Sequence, residues 1–292
     1  MLYCCQAKRF RCRLRGGIRG NMKYMTFNSS CSYAGLANML EYHGVDTEDR
    51  QIALDMGLPF LFSKEGDVYG AGPMLQTAEW FHLYLKPRGF RMTETSLSRE
   101  AAGEFLRSIP CGMLGLTVDG GGRHAVVYRG MAGGRYEFLN NKRQHSPEPD
   151  SLLLTEEELL SRLSDTAVVA VIERAEPVPV PLEEYFQSSI EVLAGLKNEL
   201  FAFCAKVRSM KELTEARNRL FRAILLDAVT MLELLGEKRL RETLLQLQRR
   251  LVNILKEGKP QILQDRMSME ALGEAIDGYM ELIREQIQAG RA

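Results

Sequence analysis

Long apolar runs are missing from this 292-residue chain: no stretch approaches 18 apolar residues, so no transmembrane helix and no membrane partner are expected. Charge imbalance is missing as well. Lys and Arg number 38 against 38 Asp and Glu, and a net charge of zero leaves no electrostatic footprint for nucleic acid. Paired cysteines are also absent. Cys31, Cys111 and Cys204 have no close neighbour of their kind, while Cys4, Cys5 and Cys12 crowd an atypical N-terminal segment. Neither a disulfide framework nor a zinc site is suggested, no cofactor is called for, and a reducing cytoplasm is the simplest location. Histidine is scarce, with four residues in all, which keeps the search for a catalytic base short. No repeat of 20–50 residues is apparent.

What is present describes a globular protein, 45% hydrophobic and 26% charged, long enough for one large or two medium domains. Residues 1–21 carry six Lys or Arg and no acid, without periodicity and without the apolar run of a secretory signal. They read as a disordered basic tail, or as leader sequence upstream of a start at Met22. Residues 22–176 mix helix and strand patterns. Helices are expected over Cys31–Gly44, over Val45–Gly57 with a cap near Asp46-Thr47, from Pro73 to Leu85, over Ser96–Ser108 and over Thr155–Leu163. Leu58–Phe62 is a short strand or buried loop. Cys111–Thr117, His124–Tyr128 and Tyr136–Leu139, separated by glycine turns, read as an antiparallel meander, and Ala167–Ile172 as a last strand. Pro177, Pro179 and Pro181 mark a linker over 177–181. Residues 182–292 carry apolar stripes at helical spacing over Leu182–Val207, Met210–Leu235, Lys238–Leu255 and Met269–Ala289. A helical bundle is the natural packing. Its role is open between covering a cleft, docking a carrier protein, and self-association into a homo-oligomer.

One stretch organises the rest. Asn28-Ser29-Ser30-Cys31 ends a polar loop and opens an amphipathic helix through Leu36, Ala37 and Leu40 to Gly44. Ser29 or Ser30 is expected to cap it, which puts Cys31 in the first turn, where the positive end of the helix favours a thiolate. A thiolate nucleophile needs a base within hydrogen-bond reach, itself oriented by a partner. His43 lies at the far end of the same helix, roughly 18 Å away at 1.5 Å per residue. His82 sits among apolar residues as a core or rim histidine, and His145 in a polar loop. His124 follows three glycines at the head of an apolar strand, and the next strand ends at Leu139-Asn140. Adjacent antiparallel strands can bring Asn140 beside His124, although Asn141 is next to it and register is not legible. Cys111 reads as core.

Cys31 at a helix start, His124 at a strand head and Asn140 at the end of the next strand resemble the papain-like cysteine peptidase superfamily. Within it the chain looks most like the double-glycine-leader (bacteriocin-processing) peptidases. The residues that carry this are Glu41-Tyr42-His43-Gly44 after the cysteine helix, Gly70-Ala71-Gly72, Gly89-Phe90, Pro110, and His124-x-Val126-Val127 with Asn140 sixteen residues on. The resemblance covers roughly residues 23–173. It extends to the BtrH N-terminal type of the butirosin pathway, which transfers an acyl group from a carrier protein to an amine. It implies an α+β papain-like domain, with Cys31 as nucleophile, His124 as general base and acid, and Asn140 as orienter. The substrate implied is a peptide, or an acyl-carrier protein in the BtrH-like case. A third reading is an inactive peptide-binding module. The leader peptidases carry a glutamine six residues before the cysteine as an oxyanion donor; Met25 stands there, which leaves Asn28 and the Cys31 backbone amide as expected donors.

Overall fold

The structure is a computed structural model, and it describes residues 22–28, 30–118 and 122–290. The expected basic tail, Ser29 and the glycines at 120 and 121 lie outside the described residues. The first part of the chain runs α1 (Cys31–Tyr42), α2 (Asp49–Asp55), a hairpin of β1 (Phe62–Glu65) and β2 (Val68–Ala71), α3 (Ala78–Leu85), β3 (Phe90–Ser98) and α4 (Arg99–Ser108). Then come β4 (Gly112–Thr117), β5 (Arg123–Ala132), β6 (Arg135–Asn140), β7 (Ser151–Leu154), α5 (Glu156–Arg162) and β8 (Thr166–Arg174). Helices α6 (Leu182–Cys204), α7 (Met210–Ala216), α8 (Ala228–Leu235), α9 (Lys238–Glu257), α10 (Leu263–Arg266) and α11 (Met269–Gln288) follow.

The apolar run Gly112–Thr117 becomes a central strand because both of its faces are covered. Met113 joins a core with α1, whereas Leu114 and Leu116 join a second core with α4 and α5. Val126 and Val127 of β5 divide in the same way. The six-stranded sheet is antiparallel throughout, in the order β3-β8-β4-β5-β6-β7, so the expected meander forms its β4-β5-β6 portion. The core on the α1 side continues into the C-terminal helices: Leu36, Phe81 and Phe186 share it with Leu232, Leu247 and Ile276. Tyr279 Oη donates to the Pro59 carbonyl at 2.7 Å, and the Phe62 amide to Ser189 Oγ at 2.9 Å.

Several sequence expectations need correction. The second helix starts at Asp49, not Val45, because its expected caps are engaged elsewhere: Asp46 pairs with Lys23, and the Thr47 hydroxyl accepts from Tyr84. Residues 96–98 belong to β3, which the sequence reading missed; Phe90–Ser98 pairs in register with Thr166–Arg174. The helix begins only after Ser98, whose Oγ accepts from the Ala101 amide at 3.3 Å. The β1–β2 hairpin and β7 were also missed. The expected helix Met210–Leu235 is α7 and α8 joined by two π-helical turns, Arg217–Phe221 and Ala223–Asp227. The expected helix from Thr155 forms as α5, opened by a reciprocal capping box between Thr155 and Glu158.

Candidate active site

The approach to Cys31 is strapped down before the helix starts. Asn38, on α1, exchanges hydrogen bonds with both the amide and the carbonyl of Lys23, at 2.9 and 3.0 Å. Asp49, fully buried at the start of α2, accepts from the Thr26 amide (2.8 Å) and from the hydroxyl oxygens of Thr26 (2.6 Å) and Ser30 (2.7 Å). Ser30 occupies the N-cap position, but its hydroxyl lies against Asp49 and the Phe27 carbonyl and does not cap the helix amides. Cys31 is therefore the first helical residue, next to amides that the helix itself leaves unsatisfied. Gly35 lets α1 lie close on the sheet. A Cβ there would stand 2.5 Å from Met113 Sδ and 2.7 Å from Asn141 Nδ2.

His124 is the second residue of β5. The register pairs Val126 with Asn140, so Asn140 sits diagonally from His124 on the same sheet face, within side-chain reach. Asn141 turns the other way. Its Nδ2 donates to the Ala125 carbonyl (2.9 Å) and its Oδ1 accepts from Asn38 (3.0 Å). Asn140 Nδ2 is occupied by Glu148 Oε2 at 3.0 Å and the Pro149 carbonyl at 3.2 Å. That fixes the amide, leaving its Oδ1 for the imidazole. His124 Nδ1 and Asn140 Oδ1 are both buried with no other partner, and their mutual bond is not fully formed. Bonds of this kind are often loose without substrate and tighten with it. Burial holds the His124 imidazole below its ordinary value, opposed by the Glu148 charge and the Asn140 bond. It is thus neutral and able to accept a proton at pH 7.

Cys31 and His124 line one open cleft of about 350 Å³, together with Gln76, Glu94, Gly115 and Arg123. Asn28 is not among its lining residues; it is exposed, with its Oδ1 bonded by Arg143. Gln76 was not picked out from sequence. Ser32 Oγ donates to its Oε1 at 2.8 Å, and the neighbouring Tyr33 hydroxyl bonds the Leu75 carbonyl, so the first turn of α1 holds Leu75-Gln76 at the cleft. The amide nitrogen of Gln76 is left to the cleft. The other histidines stay apart from it. His43 follows α1 at its far end, the Met92 amide donates to His82 Nε2 at 3.1 Å, and His145 is exposed. A smaller cavity of about 70 Å³ beside Asn38, Cys111 and Arg129 holds no competing nucleophile, since burial pushes the Cys111 thiol up to about 12. Among the described residues no His, Cys, Asp and Glu cluster could hold a metal ion, and no helix is long and apolar enough to cross a membrane.

No family model matches this chain, and no curated protein matches it. Among solved structures it is similar to the peptidase domain of Streptococcus ComA, a bifunctional ABC transporter involved in a quorum-sensing pathway. The identity is 13%, over 51% of this chain and 96% of that one, with a TM-score of 0.35. It is also similar to a double glycine motif protease from an AMS/PCAT transporter, solved in complex with the leader peptide. There the identity is 17%, over 54% of this chain and 96% of that one, with a TM-score of 0.34. Scores this low mark a likeness of outline, so the roles assigned below stand on this chain's own residues.

Proposed function

We propose that the protein is a papain-like cysteine enzyme that hydrolyses a peptide through a thioester on Cys31. The observation that carries this is the shared cleft of Cys31, at the first position of a helix, and His124, whose ring faces an asparagine amide already fixed by Glu148 and Pro149. In the proposed sequence His124 takes the thiol proton and Cys31 Sγ attacks the acyl carbon. The imidazolium then returns the proton to the leaving amine, and water admitted by the open cleft hydrolyses the thioester. Asn140 holds the ring with Nδ1 protonated, which frees Nε2 for these transfers. Gln76 Nε2, left by the Oε1 bond from Ser32, and the Cys31 backbone amide suit the developing oxyanion better than Asn28 does. An extended peptide such as a leader segment fits an open cleft of this kind.

The test is alkylation of Cys31 by iodoacetamide across pH, in wild type and in His124→Ala. A reaction that stays fast below the pH at which a free thiol slows, and that becomes slow in the variant, is expected. A slow thiol indifferent to His124 refutes the enzyme and leaves the peptide-binding module. Turnover of a carrier-bound thioester with no turnover of peptides would instead assign the BtrH-like acyl transfer.

A further inference from the structure

We infer that Arg123 forms an anion subsite in this cleft and that the peptide acted on carries an acidic side chain beside the bond attacked. The inference rests on Cys31 being the nucleophile. Arg123 opens β5, one residue before His124, and is exposed in the cleft that both it and Cys31 line. Four other arginines of this half of the chain are paired with carboxylates: Arg88 with Asp55, Arg91 with Glu173, Arg99 with Asp165 and Arg107 with Glu156. Arg123 has no such partner among the described residues. Glu94, the acid in the same cleft, accepts from the Ala78 amide at 3.2 Å, at the start of α3.

The guanidinium is also placed. Thr117 pairs with Arg123 and Gly115 with Ala125, so Gly115 is diagonal to Arg123 on one sheet face. A Cβ on Gly115 would meet Arg123 Nε at 2.9 Å and Nη2 at 3.4 Å. The missing side chain is what lets the planar group lie against β4 at the wall of the cleft. Such a fork matches a carboxylate with two parallel hydrogen bonds. Arg123, His124 and Cys31 line the same cleft, so a carboxylate held by the guanidinium lies close to a peptide bond presented to Cys31.

Small alkylating agents test this without a known substrate. The rate of Cys31 carboxymethylation by anionic iodoacetate, divided by the rate with neutral iodoacetamide, cancels changes in intrinsic thiol reactivity. The expected ratio drops roughly tenfold in Arg123→Gln, falls further in Arg123→Glu, and declines with salt in the wild type. A ratio equal in wild type and Arg123→Gln overturns the subsite. His124→Ala separates the two ideas. If it abolishes reactivity while Arg123→Gln leaves the ratio alone, the enzyme stands and the subsite falls; the reverse pattern keeps the anion site and removes the catalytic reading. In a peptide mixture, wild-type cleavage enriched for Asp or Glu next to the cut, and not enriched in Arg123→Gln, supports the inference. Cleavage indifferent to acidic residues counts against it.

Discussion

Gly35→Ala sets two known effects against each other. Alanine in a helix interior is favoured over glycine by about 1 kcal/mol, and Gly35 sits inside α1 without a positive φ. Propensity alone therefore predicts a stabilised protein. The added Cβ, however, would stand 2.5 Å from Met113 Sδ and 2.7 Å from Asn141 Nδ2. Met113 can swing its thioether aside. Asn141 is held at both ends, by the Ala125 carbonyl and by Asn38, and moving it leaves buried polar groups unpaired. Overpacking costs about 1–3 kcal/mol and an orphaned buried group about 1–3 kcal/mol more, so the clash outweighs the propensity. The expected net loss is about 2 kcal/mol in urea unfolding, with slower alkylation of Cys31 as α1 lifts from the sheet. A variant that gains about 1 kcal/mol and keeps its thiol reactivity would refute the close approach of α1 to β4.

Three further outcomes follow from particular contacts. Asn140→Ala removes the acceptor facing His124 Nδ1 and strands the Glu148 and Pro149 acceptors; turnover should fall by about 10- to 100-fold, with a stability loss of roughly 2 kcal/mol. Unchanged turnover would remove Asn140 from the site. Gln76→Ala should cut acylation by an active ester about 10²-fold while leaving iodoacetamide alkylation, which develops no oxyanion, near the wild-type rate; equal effects on both reactions would mean a structural role. Asp227, 3% exposed, has its carboxyl raised from 3.8 to about 6 by burial, with Arg222 Nε 3.2 Å away but not aligned for a hydrogen bond. A folded value above the unfolded one favours the fold when protonated, and that advantage is lost as pH rises through about 6. Asp227→Asn should therefore stabilise by about 3 kcal/mol at pH 8 and by about half of that at pH 5; an equal gain at the two pH values would contradict it.

Elements whose signal lies within one segment were legible in the sequence. The helix opened by Cys31, the apolar strand before Thr117, the short helix from Thr155 and the stop at Gly44 each rest on local periodicity, acids in a first turn or a positive φ. The missed strands did not meet that condition. Phe90–Ser98 alternates Thr, Glu and Ser in a way that only its pairing with β8 makes a strand, and β1 and β2 are four residues each. The helical reading from Ser96 failed because Ser98 could serve equally as a strand end and as a cap.

The same distinction governs the site. Cys31 and His124 could be found from residue type and local context, because a cysteine at a helix start and an imidazole at a strand head are both local features. The choice between Asn140 and Asn141 was not local. It turns on a register in which a slip of one residue would exchange their faces, and Val126 opposite Asn140 decides it. Gln76 and Glu148 carry no motif at all. Gln76 is brought to the cleft by Ser32, 44 residues earlier, and Glu148 matters only because it occupies the Asn140 amide. The residues proposed to react are thus marked by their own chemistry, while those proposed to orient them are marked by what they touch, and that is set by the sheet.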